Sequence, residues 1–211
     1  MSRVAAYQHF KERLLSGELS PGQFITQKEF ANLAGVPVGT AREAIQKLEH
    51  ESLLKVHPQR GIQIADITTK FIREAFGLRK FLEVQAVLNF ASGEYEDVVS
   101  DLIEKTTEVL ENSKTDQSEE VLERAVEVDW EMHDKIIEEC DNDLLTEVYQ
   151  INAARLRLIK VSNRMTPKRA IEALGEHLTI LNHCLAQDGP KAAEALGEHI
   201  DIAMNRALRG K

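Results

Sequence analysis

Apolar residues in the first third of the chain recur at helical and then at strand spacing. Val4, Tyr7, Phe10 and Leu14 return every three or four residues, which predicts a helix over residues 3–16 that stops at Gly17. After ELSPGQ, Thr26 opens a helix near Gln27, and Glu29 three residues later completes a capping box. Phe30, Leu33 and Ala34 share its apolar face, and Gly35 ends it. Pro37 restarts the chain at a position where a missing N–H costs nothing. Val38, Ala41, Ala44, Ile45 and Leu48 then form the stripe of a third helix, packed on the second. The period next falls to two: LLKV and GIQIA read as strands, with HPQR as the loop between them. Two helices joined by a tight glycine-containing turn and followed by a hairpin make a winged helix-turn-helix, whose second helix enters a DNA major groove.

From residue 70 onward every periodic segment is helical. Asp66–Thr69 reads as a linker, with Thr68 or Thr69 capping the next helix. The predicted helices are Phe71–Ala91 with Ala75, Leu78, Leu82 and Gln85 in register, then 94–113, 118–140 and Leu144–Asn163. The fifth opens at MTPKR with Pro167 in its first turn and runs to Gln187. The sixth covers 191–208 after the Asp188-Gly189-Pro190 turn. Six helices with short connections make an antiparallel bundle. The fold class is therefore mainly α, with a winged helix-turn-helix at residues 1–67 and a six-helix bundle at 68–211.

Charge divides along the same line. The net charge of −9 looks unfavourable for contact with DNA. Residues 1–67, however, carry eight Lys or Arg against seven Asp or Glu, while the remainder carries 18 against 28. Arg3, Lys28, Arg42, Lys47 and Arg60 thus form a local set of cations able to neutralise phosphates. Two cysteines, Cys140 and Cys184, suit a reducing cytoplasm better than a disulfide framework. No apolar run is long enough to span a membrane, and the charged, amphipathic N-terminus lacks the apolar core of a secretory signal.

Specific residues in the first part carry a resemblance. Gly17, Leu19, Pro21 and Gly22, then Arg42-Glu43-Ala44, then Arg60-Gly61 resemble, in order, the motifs of the GntR family of bacterial transcription regulators. The resemblance implies a cytoplasmic homodimer that reads a double-stranded operator with an inverted repeat. Contacts with DNA are expected from Arg3, Lys28, Thr40, Arg42, Lys47, Arg60 and Gly61, with Arg42 in the major groove and Arg60 in the minor groove at the wing tip. One departure stands out. The family has an arginine where this chain has Val38, so one phosphate or base contact is absent and the operator preference is its own.

Asp129 and His133 lie four residues apart, on one face of the third bundle helix. His177 and His199 lie on the fifth and sixth helices. Such histidines are either satisfied core residues or, if the helices line one cavity, an N/O ligand set for Zn²⁺, Ni²⁺, Mn²⁺ or Fe²⁺. The segments VDWEMHDKIIEECDNDLL and EHLTILNHCLAQDGPKAAEALGEHI resemble the FCD effector domain, the helical partner of the FadR subfamily, in its six-helix, VanR-like form. That resemblance implies one divalent metal ion per chain, zinc foremost, held by Asp129, His133, His177 and His199. It also implies a small carboxylate effector gripped by Arg79, with Arg155 as a further candidate. Arg79 has an alternative partner in Glu83, one turn away. Three functions remain open at this point: an effector-responsive DNA-binding regulator, a metal-sensing repressor, and a metal-dependent enzyme using the same Asp/His₃ set. The enzyme reading leaves the winged helix unused and lacks a clear general base.

Overall fold

The computed structural model describes residues 3–210. The side chains of Arg3 and Val4 lie outside the described residues, and so do the phosphate contact and the first apolar position expected of them. The chain divides into two compact units. One comprises Met1–Ala75 with Gln150–Asn163 and Gly210–Lys211, and the other Phe76–Tyr149 with Arg164–Arg209.

The first unit begins with α1 (Arg3–Leu15), β1 (Phe24–Ile25), α2 (Gln27–Ala34), α3 (Val38–His50), β2 (Leu54–His57) and β3 (Gly61–Ile64). Thr26 caps α2 through the expected box: its side chain accepts from Glu29 N–H while the Glu29 carboxylate accepts from Thr26 N–H. Gly35 ends α2 in the left-handed region at φ 68°, and Pro37 is the N-cap of α3. Helices α1, α2 and α3 pack on one another around Phe10, Leu14, Phe30, Ala34 and Leu48, with the rings of Phe10 and Phe30 stacked at 4.0 Å. The sheet order is β1-β3-β2, all antiparallel. The two-residue strand β1 is too short to show a period of two. Gly61 sits where β3 passes β1: its φ is 98°, and a Cβ there would lie 2.7 Å from the Ile25 carbonyl oxygen. The wing therefore needs glycine at this position for backbone reasons alone.

Six longer helices follow: α4 (Thr69–Ser92), α5 (Glu96–Thr115), α6 (Glu119–Glu138), α7 (Asp143–Ser162), α8 (Pro167–Leu185) and α9 (Gly189–Arg209). Side-chain caps mark several starts. Thr68 accepts from Phe71 N–H, Ser118 from Val121 N–H, Asn142 from Leu145 N–H and Thr166 from Arg169 N–H. In the second unit α8 is central, packing against α5, α6 and α9. One core cluster joins Val109 and Leu110 of α5, Ala125 and Val128 of α6, and Ala170 and Leu174 of α8. Ala170 and Ala173 of α8 are buried.

The stripe expected on α4 is displaced. Leu78 and Leu82 are only half-buried and Gln85 is exposed, whereas Ile72, Ala75, Phe76, Arg79, Glu83, Ala86, Val87 and Phe90 face inward. Two charged residues occupy the middle of the buried face, and that is what misled the hydrophobic pattern. Among the described residues no helix is long and apolar enough to cross a membrane.

Candidate metal centre and nucleic-acid interface

In the bundle unit, the buried face of α6 includes Ala125, Val128, Asp129, Met132, His133 and Ile136, a helical stripe in which two members are polar. Helix α8 contributes His177 from its buried face and α9 contributes His199. Asp129, His133, His177 and His199 are all buried, and one potential ligand atom from each lies within 4.8 Å of every other. His177 Nε2 is 3.3 Å from His199 Nε2 and 3.5 Å from Asp129 Oδ1. The three imidazole rings sit with centroids 4.5, 5.1 and 5.3 Å apart.

Around this cluster run two chains of charge. On one side Arg79 Nε donates to Glu83 Oε1 at 2.9 Å, and Glu83 Oε2 lies 2.7 Å from His133 Nδ1. On the other, Arg169 Nη2 donates to Glu176 Oε2 at 2.8 Å, its Nη1 donates to Glu176 Oε1, and Glu176 Oε2 lies 2.6 Å from His199 Nδ1. Burial drives His177 well below the usual histidine range, and the neighbouring His199 pushes it the same way. Burial likewise lowers His199. Both rings are thereby kept neutral, the form in which an imidazole ligates. Burial raises Glu83, with Arg79 opposing the shift. Glu176 goes the other way: burial acts to raise it, but the bonds from His199 and Arg169 prevail and hold it at about 2. Arg79 is 2% exposed, its guanidinium stands 5.5 Å from the Trp130 ring, and its Nη2 is buried with no hydrogen-bond partner among the described residues.

In the winged-helix unit, Arg42 is exposed on α3, Lys28 is exposed in the first turn of α2, and Thr40 is half-buried. Arg60 is exposed at the β2–β3 turn, with its guanidinium 5.5 Å from the Phe24 ring. Val38, expected in the apolar stripe, is 41% exposed at the start of α3. Lys47 is five residues on from Arg42, about 140° round the helix. Its ammonium lies over the Tyr7 ring at 4.0 Å, on the side of α3 that faces α1. Arg42, Lys28, Arg60 and Lys47 are all exposed cations of this set, and Lys47 also contacts Tyr7 of α1.

The structure brings together the four expected ligands and places Arg79 on the same charge network. Arg79 Nε pairs with Glu83, the alternative partner expected one turn away. Arg155 is engaged elsewhere, 3.7 Å from Glu74 and 4.6 Å from the Phe71 ring, within the winged-helix unit as the chain divides. Glu176 and Arg169 escape a reading based on metal-ligand types. The signal for Glu176 is a repeat: ALGEHLTI at 173–180 and ALGEHIDI at 195–202 each place a glutamate directly before one of the clustered histidines. Glu176 reaches His199 across the two helices, whereas its twin Glu198 is exposed.

Two family models match the chain: bacterial regulatory proteins of the gntR family over residues 3–64, and the FCD domain over residues 74–202. Among known sequences it is similar to YdhC of Bacillus subtilis (strain 168), an uncharacterized HTH-type transcriptional regulator. The two are 24% identical over 177 residues, 82% of this chain and 76% of that protein. Among solved structures it resembles E. coli McbR/YncC, with a TM-score of 0.74 at 19% identity over 98% of this chain and 97% of the other. It also resembles the Zn²⁺-bound FCD domain of TM0439, with a TM-score of 0.56 at 20% identity over 69% of this chain and 96% of that domain. Both structural likenesses are of fold. The matched families and the sequence relative are regulators, not enzymes.

Proposed function

Because the chain belongs to the gntR family of bacterial regulatory proteins and carries an FCD domain, it is a transcriptional regulator, and we propose that a metal and a small organic acid control its grip on DNA. In this reading Asp129, His133, His177 and His199 hold one divalent ion, and Arg79 binds the carboxylate of the effector. The convergence of these four buried side chains on one point carries the reading.

The donor set supports it. Three neutral imidazoles and a carboxylate suit zinc best, and also accommodate nickel, manganese or iron. The His177 and His199 Nε2 atoms, 3.3 Å apart, could both face one ion. A carboxylate behind His133 and another behind His199 provide the outer partners that ligating histidines require. The TM0439 domain of similar fold binds Zn²⁺. When bound, the ion would supply a cationic anchor for carboxylate oxygens. Arg79 complements it with an unspent donor, the buried Nη2, suited to an anionic ligand in a dry site.

On the DNA side, Arg42 enters the major groove, Arg60 the minor groove beside the wing, and Lys28 the phosphate backbone. One winged helix per chain gives limited discrimination, so two copies reading an inverted repeat form the functional unit.

Metal content of the purified full-length protein tests the site. One divalent ion per chain is expected in the wild type, with loss of that ion in the His133→Ala/His177→Ala double variant. Full occupancy in the double variant would place the site elsewhere. Stripping the metal and measuring operator affinity without any organic ligand separates this reading from metal sensing, since a change there makes the ion itself the effector.

A further inference from the structure

The carboxylates of Glu83 and Glu176 do different jobs with their two oxygens, and the difference has a chemical consequence. Glu83 divides its acceptors: Oε1 takes Arg79 Nε and Oε2 faces His133 Nδ1. Glu176 concentrates them: Oε2 meets both Arg169 Nη2 and His199 Nδ1, while Oε1 takes only Arg169 Nη1. A carboxylate gripped by an arginine is an acceptor with no proton to give. The histidine nitrogen facing it must then be the N–H, which makes the opposite nitrogen, Nε2, the acceptor.

We propose that Glu83 and Glu176 are positioning residues that preset His133 and His199 in the Nδ1–H tautomer, so that both rings are configured for an ion before any ion arrives. This rests on the metal reading above and adds two residues to it. His177 completes the pattern by contrast. Its Nδ1 is buried with no hydrogen-bond partner, and its Nε2 lies 3.3 Å from a His199 Nε2 that is an acceptor. His177 therefore carries its proton on Nε2 in the metal-free protein and is the one ring that must change tautomer to ligate.

Glutamine substitution separates the two carboxylates, because an amide offers one acceptor and one donor in place of two acceptors. In Glu83→Gln the single oxygen is drawn to the permanently charged Arg79. The amide N–H₂ then faces His133 Nδ1, which must become the acceptor, so the ring proton moves to Nε2 and blocks ligation. In Glu176→Gln the oxygen can occupy the Oε2 position and still serve both Arg169 Nη2 and His199 Nδ1. Only one arginine bond is lost, and the tautomer of His199 stands. Glu198→Gln, at the exposed twin of Glu176, is the control.

The test uses full-length protein stripped of metal, ¹⁵N-histidine NMR for the tautomers, and zinc alone in a chelator-competition titration for affinity. Wild type should show His133 and His199 as Nδ1–H and His177 as Nε2–H. Glu83→Gln should switch His133 to Nε2–H and weaken zinc about ten- to hundredfold. Glu176→Gln should keep His199 as Nδ1–H and weaken zinc less than about tenfold, and Glu198→Gln should match wild type. His133 or His199 as Nε2–H in the wild type would overturn the proposal, and that measurement stands even if Glu83→Gln fails to fold. A folded Glu83→Gln with an unswitched His133 would overturn it as well. The expected tautomers in a wild type that takes up no zinc would instead refute the metal reading and leave the positioning role intact.

Discussion

Arg42 is exposed, and Val38, one turn earlier on the same face of α3, is 41% exposed. The one presents a charged fork to solvent and the other only methyl groups. Removing the Arg42 side chain costs little folding energy, because surface changes of this kind stay within about 0.5 kcal/mol. Arg42→Ala is therefore expected to unfold like the wild type yet lose specific binding, and to lower the salt dependence of binding by about one counterion. Fluorescence anisotropy at several salt concentrations on an operator selected from random DNA measures both, and unchanged affinity would refute the contact. At this scale the sequence was informative for ligand-type residues and uninformative for their supports. Asp129, His133, His177 and His199 stand out because few other residue types can ligate a metal, and the fold brings the four together. Glu176 looks like any surface glutamate until the packing of α8 and α9 brings it 2.6 Å from His199 Nδ1. Lys47 shows the converse: its charge suggests phosphate, and the fold adds a contact of its ammonium with the Tyr7 ring that its place in the sequence does not announce.

Elements were legible wherever a local signal set their ends. The capping box at Thr26, the left-handed Gly35 and the Thr166-Pro167 start of α8 fall where the residues place them. The register of α4 is different. A buried Arg79–Glu83 pair reads as polar surface, which shifts the apparent stripe toward Leu78 and Leu82. Strand β1, two residues long, has no period to detect and is defined only by pairing with β3. That pairing gives Gly61 a role independent of DNA. At φ 98°, with the Ile25 carbonyl oxygen 2.7 Å from the position of a Cβ, alanine is excluded by both conformation and space. Gly61→Ala should destabilise the winged-helix unit by about 1–3 kcal/mol and lower its thermal midpoint with no DNA present. An unchanged midpoint by circular dichroism would mean that the wing relaxes around the added methyl, leaving DNA contact as the reason for glycine here.

For the molecule as a whole, the proposed effector response requires a ligand bound in the bundle unit to alter DNA binding. Helix α4 is the element that bears on it, because its residues to Ala75 belong to the winged-helix unit, while Arg79 and Glu83, further along the same helix, belong to the bundle unit. A ligand regulates only through a difference in affinity between two arrangements, and a tenfold preference, about 1.4 kcal/mol, is enough to shift operator occupancy measurably. In the proposed reading Arg79 creates that difference, since a carboxylate that engages its buried Nη2 would meet a guanidinium already tied through Nε to Glu83. Truncating it to alanine would leave Glu83 as a buried charge without its cation, at a cost of about 3–5 kcal/mol, and would confuse lost response with lost structure. Arg79→Lys is the better variant: the ammonium keeps a charge beside Glu83 but lacks the fork that serves Glu83 and a second carboxylate together. It should retain metal and operator binding. Any small carboxylate that shifts operator binding of the wild type should need at least about tenfold more ligand to do so in the variant, a shift of about 1.4 kcal/mol. Anisotropy titrations of both proteins with the same acid measure this. Equal midpoints would show that the effector does not use Arg79, and an uncharged ligand held by the metal alone would become the better explanation.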